Sequence, residues 1–343
     1  MSLRRKHFIF ILLLSINSSH AAVINDPFAY FNVYSLGNIG SANDRYNTDF
    51  QGVTGAAGDA YFGNFGFTNN NQSEYVFHGD GQLNMASGGF KGSVDVAGTT
   101  NLSNFHITGD LFAGSDVSLS NFSISGNLNH AGNLSMSSGS AGGTILSSFA
   151  YQPEIDFLSL NQLFRDTSSS LAQRADTGTI DYRNSGGDLH AIAASGENVF
   201  TVTAEELRKA YAFTVTGPAD AVVYINVVGD GNTELMDGAN WHYLGGVKND
   251  DVIVNYTNAD RINLHGSNIV NLLAPDADIY FTSGVHTGNL IAANLYGGAQ
   301  VNLGGFDGPI PPTNIPEPQT LMLFLMGLAG IGFMRRRSQR TIS

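Results

Sequence analysis

Between about residues 85 and 146 the chain repeats itself every seventeen residues, and a fixed period of this kind restricts the fold more than any single motif. Leu102-Ser103-Asn104-Phe105-His106-Ile107-Thr108-Gly109-Asp110-Leu111 returns as Leu119-Ser120-Asn121-Phe122-Ser123-Ile124-Ser125-Gly126-Asn127-Leu128. Extending the offset aligns Met85, Leu102, Leu119 and Met136, then Gly92, Gly109, Gly126 and Gly143, then Val94, Leu111, Leu128 and Ile145. A fourth column holds Phe90, Ile107 and Ile124. Apolar residues two apart lie on one face of a strand, and a glycine between such columns suits a corner where the chain turns tightly. Equal coils, each burying its face on the next, make a parallel β-solenoid, here a narrow one. The repeat leaves one alternative open, an antiparallel sandwich whose hairpins resemble each other.

High glycine can accompany disorder, but the 41 glycines alternate with Val, Ile, Leu and Phe throughout, which marks short strands separated by turns. The pattern breaks at 155–174. There Phe157, Leu160, Leu163, Phe164 and Leu171 fall at helical spacing, with Asp156 near the start and Arg174 at the end. One amphipathic helix, or two short ones, is predicted to lie against the strands. A second helical piece is predicted over 204–212, with Thr203 and Glu206 as a capping box. Strands resume at 222–227, 252–256, 261–264, 269–273, 278–281, 289–293 and 300–303. Asn263, Asn268 and Asn271 fall near strand ends, where stacked amides satisfy corner backbone groups. The two β stretches either side of the helix read as one interrupted domain.

Both ends carry processing signals. Arg4, Arg5 and Lys6 precede an apolar core from Phe8 to Leu14, and Ser19-His20-Ala21 predicts cleavage after Ala21. At the other end Pro316-Glu317-Pro318 is followed by an uncharged apolar run from Thr320 to Met334 and by Arg335-Arg336-Arg337. As a helix that run spans about 22 Å against a hydrocarbon core of about 30 Å, short for a permanent anchor. Gly327, Gly330 and Gly332 weaken it further, and the arginines mark the cytoplasmic side. A plain amphipathic tail fits less well, because no charge interrupts the run. The segment resembles the PEP-CTERM sorting signal of Gram-negative bacteria. The resemblance implies recognition of Pro316, Glu317 and Pro318 by a membrane transpeptidase of the exosortase type, transient anchoring in the inner membrane, and delivery to the outer envelope or extracellular matrix.

A second resemblance covers most of the body. Phe31-Asn32-Val33-Tyr34 with Gly37-Asn38, the stretch Gly52-Val53 to Gly58, Val252-Ile253-Val254-Asn255-Tyr256 and the segment from Leu273 to Ala292 look like the choice-of-anchor A domain. That family consists of bacterial surface domains with different C-terminal anchors. It implies a right-handed β-helix with a flanking helix and a surface or adhesive role. The expected fold is therefore mostly β: a parallel (right-handed) β-helix with one flanking α-helix, an N-terminal signal helix and a C-terminal transmembrane helix. The expected division is a signal peptide at 1–21, a β-helical domain at 22–308, a linker with the Pro-Glu-Pro motif at 309–319, and a helix with its arginine tail at 320–343.

Seven of the 16 basic residues lie in the two signals, leaving nine against 29 acidic residues, a net charge near −20. That charge opposes nucleic acid and anionic lipid as partners. The chain has no cysteine, hence neither disulfides nor thiol chemistry. No Gly-x-Ser-x-Gly elbow with a histidine and an acid stands out. His106, His130, His190, His242, His265 and His286 are scattered without zinc spacing and are expected at the surface or at corners. Asp230, Asn232, Glu234 and Asp237 offer alternate oxygens in a glycine-rich loop that would suit calcium, although an ordinary acidic turn explains them as well. A polysaccharide lyase-like enzyme would use a basic residue such as Arg183, Lys248 or Arg261, but no constellation singles one out. Ice binding would favour a flat face of threonines, whereas the outward repeat positions mix Ser, Asn, His and Thr. The sequence therefore predicts a non-enzymatic surface protein without an obligatory cofactor, presenting polar corners to exopolysaccharide or surface proteins.

Overall fold

The computed structural model describes residues 24, 26–70, 72–229, 233–237 and 240–310. In the repeat region each seventeen-residue unit forms a three-sided coil. Strand Thr100–Ile107 supplies two sides and Leu111–Ala113 the third. The long strand bends at Asn104, whose φ is 51°, and Asn121 and Ser138 take the same left-handed conformation one and two coils on. Asparagine tolerates this conformation because its amide bonds locally. The Asn104 amide donates to the Ala86 carbonyl at 3.1 Å, and Asn121 donates to Asn104 Oδ1 at 2.8 Å. The glycine column sits at a different corner, for a different reason. A Cβ on Gly109 would lie 2.6 Å from the Gly92 carbonyl carbon, because the two backbones cross there. Leu102 pairs with Met85 below and Leu119 above, in parallel, so the sandwich alternative is excluded.

The coils do not stack in sequence order. On the side that holds 111–113, one parallel ladder runs through 196–203, 221–228, 252–256, 271–274 and 290–292. It continues through 33–35, 54–56, 77–79, 94–96, 111–113, 128–130 and 145–147. The chain thus starts in the middle of the solenoid and climbs to one end. A helix carries it back along the outside, and the second half climbs to meet the start, where Leu290 pairs with Val33. The inward side chains of this ladder form one buried column, with Phe200, Ile225, Val254, Leu272, Leu290, Val33, Thr54, Phe77, Val94, Leu111 and Leu128 in register.

Helix α1, Pro27–Tyr30, opens the fold on an Asp26 cap. The returning helix α2, Phe157–Ala172, is capped by Asp156 and is one helix rather than two. It buries Leu160, Phe164 and Leu171 against Tyr34, Tyr224, Leu273 and Ile291 of the ladder's outer face. Two buried asparagines fasten it. Asn226 donates to the Leu171 carbonyl at 2.8 Å and Asn255 to the Ser168 carbonyl at 3.0 Å. Helix α3, Ala204–Lys209, has the expected Thr203–Glu206 capping box and stops short of residue 212, where strand Ala212–Thr216 begins. The segments expected separately at 269–273 and 278–281 fall mostly within one strand, Asn271–Thr287, because the corner at 275–277 is only a register shift. Among the described residues no helix is long and apolar enough to cross a membrane. The N-terminal signal and the C-terminal helix lie outside the described residues.

Candidate functional site

The third side of the coils, which holds 105–107, has an outward column of Asp49, Gly66, Gly89, His106, Ser123 and Ser140 in register. Two consecutive glycines strip this face of side chains and leave a trough of about 720 Å³. Asp49 stands at one end and His106 at the other, with the imidazole folded over Gly89. Gly66 is open: a Cβ there would meet only the Asp49 Cβ, at 3.8 Å. Asn47, Thr48, Asn64, Ser87 and Asn104 make the walls. Asn47 and Thr48 are held in place before any ligand arrives. Asn47 accepts from the Asn64 amide at 3.1 Å and donates to the Arg45 carbonyl at 2.7 Å, and Thr48 bonds the Gly298 carbonyl from a left-handed φ of 85°. Partial burial raises the Asp49 carboxyl above its ordinary pKa.

Gly298 abuts Asn47, and just before it the neighbouring side carries an aromatic stack. The Arg261 guanidinium lies 3.8 Å from the Tyr280 ring centre, and Tyr280 stacks on Tyr296 at 5.0 Å and 27°. Arg261 also donates to Asn263 Oδ1 at 3.1 Å, and Asn294 donates to Asp278 Oδ1 at 2.7 Å. Along the same column Gly40 replaces a side chain before Tyr61, since Ile39 bridges Leu295 and Ala60. The surface therefore joins ring edges and a cation to a groove of amides, a carboxylate and an imidazole. Such groups bind hydroxyls and the apolar faces of sugar rings.

A buried histidine–aspartate pair lies elsewhere, on the α2 side. His78 and Asp95 are nearly inaccessible, with Nδ1 and Oδ2 3.4 Å apart. His78 Nε2 is engaged by the Tyr30 hydroxyl at 2.8 Å, and burial pushes that phenol up to about 12. Asp95 accepts from the Tyr151 hydroxyl at 2.9 Å and the Glu154 amide at 3.4 Å. Every polar atom of the pair faces a fixed partner, so it clamps the segment leading into α2 onto the coils.

The sequence candidates fare differently. Asp230 and Asn232 lie outside the described residues. Glu234 and Asp237 lie in strand Thr233–Asp237, and their side chains are outside the description. Among the described residues no group of three or more His, Asp or Glu side chains is placed to hold a metal ion. Pro316, Glu317 and Pro318, and Arg335, Arg336 and Arg337, lie outside the described residues. Arg183 pairs with Asp181 at 2.9 Å and Arg261 stacks on Tyr280, so these two of the three lyase candidates have separate partners. His130, His190 and His286 are buried rather than at the surface, His130 at the corner that ends strand Leu128–His130. Of the trough residues, sequence reasoning singled out only His106. Asp49, Gly66, Gly89 and His106 are spaced 17, 23 and 17 residues apart, so the loop between strands Ala60–Phe67 and Tyr75–Gly79 hides the register.

Residues 24–303 match the family model described as "Putative Ice-binding-like adhesive domain", and residues 314–338 match the PEP-CTERM protein-sorting motif. The choice-of-anchor A name is not the one this family model carries. A crystal structure of an ice binding protein from an Antarctic bacterium, Flavobacteriaceae, is similar at 11% identity and a TM-score of 0.27, covering 80% of this chain and 81% of that one. No curated protein matches. The adhesive domain and the sorting motif together indicate an exported cell-surface protein.

Proposed function

We propose, for a chain that belongs to the ice-binding-like adhesive domain family, a non-enzymatic adhesin that holds polysaccharide in the trough between Asp49 and His106. The observation that carries this reading is the paired glycines, Gly66 and Gly89, which open a pre-ordered polar groove beside the Arg261–Tyr280–Tyr296 stack. A net charge near −20 and the Asp49 carboxylate oppose uronate-rich polymers, so the preferred ligand is neutral or amine-bearing. Among the described residues neither of these outward columns bears a row of threonine. The neighbouring side reads Tyr61, Asn84, Asn101, Ser118 and Ser135, which favours sugar hydroxyls over an ice lattice.

In this account the tail supplies the address. An exosortase-type transpeptidase reads Pro316, Glu317 and Pro318 while the apolar run sits transiently in the inner membrane of a Gram-negative cell, and Arg335, Arg336 and Arg337 stay cytoplasmic. The body is then delivered to the outer surface or matrix. The alternative is a lyase-like enzyme acting on exopolysaccharide.

One experiment separates the two. The described core and its hydrogen bonds lie within 24–310, so a fragment of residues 22–314 carries that fold. It is expected to be retained on a column of neutral or amino-sugar exopolysaccharide and to release no unsaturated sugars. Sugar release would overturn the adhesin reading, and failure to be retained would remove the trough as its site.

A further inference from the structure

The two ends of the solenoid are finished differently. At one end strand Ile180–Arg183 folds back antiparallel on Asp188–Ile192, and α3 replaces a strand on the neighbouring side. Those devices close the end. At the other, the last coil is strand Leu134–Ala141 with Ile145–Ser147, and no described segment lies over it. The chain leaves that coil downward: Tyr151 reaches Asp95, and the helix follows. Met136, Ile145 and Leu146 are left 43%, 42% and 48% exposed, although Met136 and Ile145 occupy columns that are buried in the coils beneath.

Open β edges are ordinarily guarded by charge, proline or a bulge. Here none is present. Residues 117–152 contain no Asp, Glu, Lys, Arg or Pro, and Leu134–Ala141 pairs with the coil below without a bulge. In a chain with 29 acidic residues, residues 117–152 present a second copy with no like charge.

The Pro-Glu-Pro linker that follows the described chain is too short to cover it. Pro309 accepts from Tyr224, in strand Ala221–Val228, so the described chain leaves at that level. From there the ladder climbs ten steps to Ile145–Ser147, about 48 Å at ~4.8 Å per step. The linker at 311–319 extends about 32 Å at most.

We infer that this bare end is a self-association surface on which a second copy of the chain stacks head to head. A two-fold axis through the Ser138 corner and the middle of Ile145–Ser147 sets 134–137 antiparallel to 139–141 of the other copy. The same axis places Leu146 beside its equivalent. All three sides then pair at once, and Met136 and Ile145 are covered. Such a dimer carries two troughs, facing outward from one rod. The inference does not depend on what the troughs bind.

The test uses the absence of cysteine. In the full exported chain, Leu146→Cys treated with a short bismaleimide is expected to give a product of twice the chain mass, while Ser267→Cys, exposed in the other half, gives none. Adding Ile145→Lys to Leu146→Cys is expected to lower the yield about tenfold or more by placing an unpaired charge from each copy in the seam. Ser137→Lys, at an already exposed position, covers the case in which Ile145→Lys disturbs the last coil. A freely reactive thiol that never cross-links would overturn the inference. So would a thiol shielded within a monomer, or a dimer indifferent to both lysines.

Discussion

At the residue scale the fold depends on a few side chains whose chemistry is set by burial. His286 is fully buried, its Nε2–H donating to the Asn289 carbonyl at 3.0 Å, and burial lowers its pKa from 6.5 to about 4. The folded state therefore resists the proton that the unfolded state takes up at 6.5. The stability this provides is fully present above pH 6.5 and is lost as pH falls towards 4, by about 3 kcal/mol in all. Urea titrations of wild type and His286→Leu between those pH values are expected to show the slope in wild type and its loss in the variant; parallel slopes would contradict the assignment. The glycines give a second contrast. Gly109→Ala drives a Cβ into the Gly92 backbone and is expected to cost about 2 kcal/mol, whereas Gly66→Ala, at an open strand position, is expected to be neutral in thermal unfolding. The glycine column was legible in the sequence as a corner. Its reason, close approach of stacked backbones, was not, and neither were the left-handed corners at Asn104 and Asn121. An asparagine in a strand pattern does not declare its φ.

At the scale of elements the sequence says more about α2 than about what holds it. Phe157, Leu160, Phe164 and Leu171 announce an amphipathic helix. The partners of its buried face come from both halves of the chain, Tyr34 from one and Tyr224, Leu273 and Ile291 from the other. Asn226 and Asn255 look like ordinary polar strand residues until the register stacks them under the helix, where Asn255 also donates to Asn226 at 2.9 Å. Because α2 spans the junction where Leu290 meets Val33, its anchor stabilises the whole rod. Phe164→Ala removes a fully buried ring in contact with Phe28 and Tyr34 and is expected to cost about 3–5 kcal/mol in a single cooperative unfolding transition. A variant that melts in two separate steps would show that the halves fold independently.

For the whole molecule, period analysis identified a solenoid but not the order of its coils. Seventeen-residue spacing holds only while the coils follow one another directly. It fails at the loop after Phe67, and it carries no information about which distant strand continues the ladder at Val33. The trough was hidden for the same reason, since Asp49, Gly66 and Gly89 come together only through that register. The central claim is that an address on the tail delivers a rigid body whose trough adheres to polysaccharide. Cells displaying equal surface amounts of wild type and Gly66→Leu, measured by antibody, can be compared for retention on a surface coated with neutral or amino-sugar exopolysaccharide. The leucine fills the trough without straining the backbone. Retention by wild type and its loss in Gly66→Leu is the predicted result; equal retention by both, or none by wild type, would contradict the account.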